Sequence, residues 1–285
     1  MTDAQAKAAT LIEALPYLQH FRGETFLIKI GGSVMEDPQL VSDFMRDILF
    51  LEAVGINPVL VHGGGKAISA AMAESGLEPT WVNGFRVTCE KSIELVEKTL
   101  THTLSPHLVG LLNKHEGRGI AIPGTEVFQA TRMTPGGQDI GFVGEVASCL
   151  IEQVEAATAR SVVPVISPLG RELDTGQALN INADLAAAAL AKALKPAKLI
   201  YLSDVPGLLR DPKDASTLIP SLNPTEADGY IADGTIAGGM IPKVTSALDA
   251  LQAGTRKVHF IDGRLPHVLL LEIFTSQGIG TEIVL

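Results

Sequence analysis

The chain has 285 residues, 46% of them hydrophobic and 19% charged, with a formal net charge of -10 at pH 7 and a pI near 5.2. That composition suits a soluble α/β protein with one large domain or two unequal lobes, and it excludes a general nucleic-acid binder, which needs a basic surface to displace counterions. The two cysteines, Cys89 and Cys149, show neither metal-ligand spacing nor disulfide density, and no long apolar run is present, so a cytoplasmic protein with reduced thiols, no export signal and no membrane span is expected.

Residues 2–20 begin with an N-cap candidate and carry Ala, Leu and Ile at helical spacing, and Pro16 is expected to end or kink that helix. Its apolar face, including Leu11, Ile12 and Leu15, suits packing on its own domain or on another subunit. Residues 26–33, FLIKIGGS, read as a buried strand with one lysine in it, followed by two glycines. Alternation turns Lys29 away from its apolar neighbours at the end where the strand stops. Gly31 and Gly32 remove Cβ atoms from the turn, so backbone amides can close on a phosphate-sized group beside that lysine; the alternative is an ordinary strand-to-helix turn.

Residues 37–54 have the pattern of an amphipathic helix and 58–61 that of a second buried strand. The segment HGGGK, 62–66, then places Gly63, Gly64 and Gly65 tightly between strand and helix. Three glycines there cost chain entropy, which a backbone closely approached by a ligand explains more simply than a flexible loop does. Two strand-glycine-helix units in succession predict a parallel sheet. An Asn-Gly turn follows, feeding a short extended run that carries Arg86, whose planar fork suits either a bound carboxylate or a surface salt bridge. Residues 89–116 look helical and 119–144 irregular and β-rich, with a strand at 162–168.

From Leu179 on, the sequence runs LNINADLAAAALAKAL. Asp184 stands at the head of an alanine-rich helix, where a simple cap is the commonest role for Asp. Asn180 and Asn182 at alternate positions before it face one way, and that points to a site. Residues 198–202 form another buried strand, and the turn-rich SDVPGLLRDP contains Ser203, Asp204 and Gly207. Gly238 and Gly239 precede Lys243 at the head of a helix over 244–253. KVHFID is a strand, and residues 265–285 hold a helix, a glycine-rich turn and a short strand.

These residues make a phosphate-handling set without a GxxxxGK[ST] loop, a GxGxxG dinucleotide turn or protein-kinase motifs. There is no Ser-His-Asp or Cys-His signature, and His62 is the one histidine near the set. A carboxylate acceptor suits that lack of a base, because it is already anionic at neutral pH and needs no deprotonation to attack a γ-phosphoryl group. Lysines on both sides of the transferred group, oriented by an aspartate, would act through position and charge.

The ordered segments FLIKIGGS, VLVHGGGK, NGFRVT, ALNINADLAAAALA, LIYLSDVPGLL, GGMIPKV and LLLEIFTSQGIGTEI resemble the amino acid kinase family from about Phe26 to the C-terminus. The resemblance implies a three-layer αβα sandwich with a mainly parallel central sheet. It divides the chain into an N-terminal helix, 1–22, serving oligomerisation or regulation, and a single domain, 23–285. The domain has an acyl-amino-acid lobe over about 23–190 and an ATP lobe over about 191–285. The implied reaction is phosphorylation of the side-chain carboxylate of N-acetyl-L-glutamate by ATP with Mg2+, with no metal site held by the protein. Lys29 and Lys243 match the transition-state lysines and Asp184 the acid that organises them. Gly64, Gly65, Arg86 and Asn180, with Asn182 in the same motif, match the acceptor site. Gly31, Gly32, Gly63, Gly238 and Gly239 fall to the phosphates, and Ser203, Asp204, Gly207 and Lys213 to the nucleotide.

The two chain ends resemble those of arginine-inhibited hexameric members, which implies arginine binding near Glu272, His267 and Gly280. A PII-type protein partner stays open. Residues 121–130, AIPGTEVFQA, depart from the family's lysine-containing glycine turn, which removes a cation from the expected acceptor side. Two other readings remain: a kinase for a related acceptor such as an aminoadipate derivative, and a non-catalytic arginine- or nucleotide-binding regulator.

Overall fold

A computed structural model describes residues 3–275 and 278–285, so the N-cap expected at residue 2 and part of the terminal glycine-rich turn lie outside the described residues. The centre is an eight-stranded sheet in the order Ser221–Leu222, Thr281–Val284, Lys257–Asp262, Lys198–Ser203, Thr25–Ile30, Asn57–His62, Val163–Ile166 and Gly119–Ile122. All pairs are parallel except that between Thr281–Val284 and Lys257–Asp262. The order reverses around Thr25–Ile30, whose neighbours follow it in sequence on one side and come from the second half of the chain on the other. Crevices at the carboxyl ends of such strands are the usual ligand sites of open α/β sheets.

Alternation along Thr25–Ile30 builds the two outer layers. Phe26, Ile28 and Ile30 join one buried cluster, which includes Phe44, Ile48 and Leu269 from the helices Pro38–Ala53 and Val268–Phe274. Leu27 joins the other, with Leu190 and Leu251 from the helices Ala183–Leu194 and Met240–Gln252. Lys29 therefore opposes Ile28 and Ile30 but shares its face with Leu27. The expected three-layer sandwich is what forms.

The β-rich region resolves into a second, closed four-stranded unit of Phe128–Arg132, Val143–Cys149, Leu169–Glu172 and Ala178–Ile181. It carries Asn180 opposite Val143. One local expectation is corrected in part: the first helix does not end at Pro16 but runs from Asp3 to Phe21. The backbone bond that Pro16 cannot make would go to the carbonyl of Ile12, an exposed residue where solvent can take its place. The helical stretch after residue 89 is interrupted by a π-helical segment, Lys98–Leu104, that sequence periodicity does not reveal.

Candidate functional site

Lys29, one residue from the end of its strand, lies beside Val61 on one neighbouring strand and Tyr201 on the other, and is only 8% exposed. Its Nζ stands 2.8 Å from Asp184 Oδ1. Asp184 is the second residue of the helix Ala183–Leu194, and the cap there belongs to Asn182, whose Oδ1 accepts the amides of Asp184 (2.9 Å) and Leu185 (3.2 Å). Relieved of capping, the Asp184 carboxylate is free to pair. Lys243, in the first turn of Met240–Gln252, brings its Nζ to 3.3 Å from Asp184 Oδ2. Burial alone would push the Asp184 carboxyl up, but the charges of Lys29 and Lys243 outweigh it and hold the group below the ordinary carboxylate range.

The glycine turns fit around this triad. A Cβ on Gly31 would lie 2.6 Å from Lys29 Nζ and 3.0 Å from its Cε, so the lysine folds across backbone that must stay bare. Gly32 has φ +66° and backs onto Asp204, a conformation and a contact that only glycine tolerates well. The Gly63 amide donates to Ile30 O at 2.7 Å and ties the two glycine segments together. They line a cavity of about 210 Å3 that also receives Lys29, Asp184, Arg86, Asn180 and Asn182. A neighbouring cavity of about 490 Å3 shares Asn182 and Asp184 and adds Gly238, Gly239 and Lys243.

Arg86 is 5% exposed. It donates to Gly65 O and Ser69 Oγ, both at 2.8 Å, and reaches Met72 Sδ at 3.5 Å. Among the described residues no carboxylate pairs with it. A guanidinium removed from water without a counter-anion is costly, so an anion entering this cavity would gain by pairing with it. Thr88, which sequence reasoning passed over, joins Arg86 to Asn180: its Oγ1 donates to Arg86 O (3.0 Å) and accepts from Asn180 Nδ2 (3.2 Å). Its signal was its place in the NGFRVT segment. His62 is fully buried and is pulled down to about 4 by that burial, so it is neutral. With Nδ1–H donating to Gly63 O at 2.8 Å and Nε2 meeting Ser105 Oγ at 2.7 Å, it is a structural tie and not a base.

Four expected nucleotide residues are not drawn into either cavity. Ser203 Oγ donates to Val205 O, Asp204 lies behind Gly32, and Gly207 is buried against Thr281 and Leu218. Lys213 stands in an exposed turn. Residues 121–130 line neither cavity. Gly124 there donates its amide to Ser167 Oγ at 2.9 Å, and a Cβ on it would strike the Ser167 and Leu169 backbone. Gly124 in this atypical segment is thus a packing position.

A larger cavity of about 770 Å3 opens at the other edge of the sheet, between the first helix (Tyr17, Phe21) and Lys198, His259, Glu272 and Gly280. Lys198 Nζ donates to His259 Nε2 at 2.8 Å, and His259 Nδ1–H donates to Glu272 Oε1 at 2.7 Å. The amides of Ile279 (2.7 Å) and Gly280 (3.1 Å) donate to Glu272 Oε2. Burial lowers Lys198 to about 8 and also depresses His259. Burial works to raise Glu272, but these donors hold it down. Glu272 and Gly280 therefore meet as expected, whereas His267 lies outside and pairs with Asp47 at 2.7 Å. The histidines that line the cavity are His20 and His259, and the one bonded to Glu272 is His259.

Residues 24–262 match the sequence profile of the amino acid kinase family. The chain is 58% identical over 283 residues to acetylglutamate kinase of Akkermansia muciniphila, covering 98% of this chain and 95% of that one. It is 45% identical to acetylglutamate kinase of a Synechocystis species, covering 99% and 95%. Among solved structures, it resembles N-acetylglutamate synthase from Neisseria gonorrhoeae complexed with coenzyme A and N-acetyl-glutamate, with a TM-score of 0.87 and 26% identity over 98% of this chain. This chain spans 63% of that synthase. The same synthase complexed with coenzyme A and L-arginine gives a TM-score of 0.83 and 25% identity, covering 97% of this chain and 65% of that one.

Proposed function

The chain belongs to the amino acid kinase family, and from that membership we infer that it is an acetylglutamate kinase. MgATP donates its γ-phosphoryl group to the side-chain carboxylate of N-acetyl-L-glutamate, giving N-acetyl-L-glutamyl 5-phosphate and ADP, a step of arginine biosynthesis. The observation that carries this reading is one carboxylate, Asp184, held between Lys29 and Lys243 beside a cavity that contains an unneutralised, buried Arg86. Arg86 and Asn180 hold the acceptor's free carboxylate and amide, with the Gly64–Gly65 backbone against them. The acceptor's other carboxylate oxygen attacks the γ-phosphorus as the bond to the ADP oxygen breaks. Lys29 and Lys243 balance the charge on the transferred group from two sides, and the Gly31–Gly32 and Gly238–Gly239 turns give it close backbone. Among the described residues no group of three His, Cys, Asp or Glu gathers to hold a metal. Mg2+ would arrive on the nucleotide phosphates and supply positive charge there.

ATP-dependent acyl phosphate, trapped with hydroxylamine, is expected with N-acetylglutamate and not with glutamate. Equal or better trapping with N-acetyl-aminoadipate would move the acceptor assignment, and no trapping with any acceptor would sink the reading.

We further propose that the cavity under the first helix takes arginine as a feedback inhibitor. It offers a buried carboxylate, Glu272, in a hydrogen-bond chain with His259 and Lys198, and apolar walls from a helix whose Leu11, Ile12 and Leu15 remain exposed for assembly, which suits a hexamer. Arginine is expected to suppress turnover, and Glu272→Gln to raise the half-inhibitory concentration by about tenfold, the cost of one charged hydrogen-bond partner. A wild-type enzyme indifferent to arginine would leave this helix with an assembly role only.

A further inference from the structure

Trp81 is the chain's one tryptophan. It stands on a two-residue strand, Trp81–Val82, paired with Phe85–Arg86 through a turn at Asn83 and Gly84, both at positive φ. Such a short hairpin has little stability of its own. The Phe85–Arg86 side is anchored, because Thr88 bonds Arg86 O and Asn180 bonds Thr88. The Trp81 side has a different kind of anchor. Trp81 is 56% exposed and belongs to none of the three hydrophobic clusters, yet its ring lies over the Arg86 guanidinium, 4.5 Å from the ring centroid to Cζ. A large apolar ring left in water without core partners is paying for something other than packing.

We propose that Trp81 is a positioning residue for acceptor binding: its ring fixes the plane of the Arg86 guanidinium so that the donors left over by the protein face the incoming carboxylate. Three of the five N–H donors of a guanidinium are taken here, by Gly65 O, Ser69 Oγ and Met72 Sδ. They use both hydrogens of Nη2 and one of Nη1, which leaves Nε–H and the second Nη1–H for a ligand, and the indole face holds the group flat in that orientation. Trp81 lines the 210 Å3 cavity and also an adjoining one of about 300 Å3 that Arg86 shares, so it shields the guanidinium from water on the side an acceptor does not cover. The attraction needs a π face, not merely apolar bulk.

This inference rests on the acceptor assignment made above, and the test separates the two. In Trp81→Leu, which keeps apolar contact across the hairpin but has no ring face, the KM for N-acetylglutamate is expected to rise about five- to tenfold. The rise should sit in that KM and not in kcat or in the KM for ATP. Trp81→Phe should recover most of it. A Leu variant equal to Phe, or a KM for ATP that moves in step, would overturn the positioning role and leave Trp81 a structural residue. Because no other tryptophan contributes, emission from the wild-type chain reads this ring alone and should titrate with N-acetylglutamate in the absence of ATP. Emission that titrates with ATP instead would likewise overturn the proposal. A chain without turnover would sink the kinase reading but not this one, since the emission titration needs no chemistry.

Discussion

Lys243→Ala is expected to lower kcat by about a thousandfold and leave the chain folded, at the upper end of what one charge-stabilising group contributes in a preorganised site. The geometry separates the two effects. Lys243 is partly open to solvent, and its removal leaves Asp184 still paired with Lys29 at 2.8 Å, so no buried carboxylate is stranded. What disappears is the second cation beside the transferred phosphoryl group, whose charge in the transition state is spread over three equatorial oxygens. The hydroxylamine assay reads the rate and thermal unfolding reads the fold. A kcat within tenfold of wild type would remove Lys243 from the chemistry.

Asp184→Asn should cost both activity and stability. Asparagine has nearly the same shape and can still occupy the helix's first turn, but two ammonium groups would then face each other across a neutral amide, one of them 8% exposed. Removing one partner of a buried ion pair typically costs about 3–5 kcal/mol. The pH dependence has a definite sign. The folded-state carboxyl is held below its ordinary value, so its stabilising contribution is fully present above the unfolded value of about 3.9 and is lost as the pH falls through the depressed one. The stability gap between wild type and variant should therefore be constant from neutral pH down to about pH 4 and shrink below it. A gap that widens on acidification would mean Asp184 is not charged in the folded protein.

Much of this was readable before any coordinates. Lys29 declared itself by interrupting an apolar strand just before two glycines, and the side-chain alternation that hides Ile28 and Ile30 is what aims it at Asp184. The parallel sheet followed from two strand-glycine-helix units in the first 70 residues or so. Asp184 was harder, because Asn182 and Asp184 are both good caps and sequence does not say which amides each receives. The structure gives the cap to Asn182. His259 escaped notice because a histidine inside KVHFID looks like ordinary strand, while His267 near the terminal helix looked available and is instead spoken for by Asp47. Glycine, too, misled in part. At Gly64 the bare backbone answers Leu100 and Leu104 of the π-helical segment as much as any ligand. Long-range packing of this kind leaves no periodicity to find.

The strand Lys198–Ser203 begins at the large cavity and runs past Lys29, with Tyr201 at the level of the lysine. Its parallel neighbour Lys257–Asp262 likewise begins at that cavity, while Thr25–Ile30 and Asn57–His62 run out into the glycine turns that line the smaller one. Two guests arriving at opposite rims of one rigid slab do not collide. The two openings share no lining residue, so both can be filled at once and neither guest contests the other's seat.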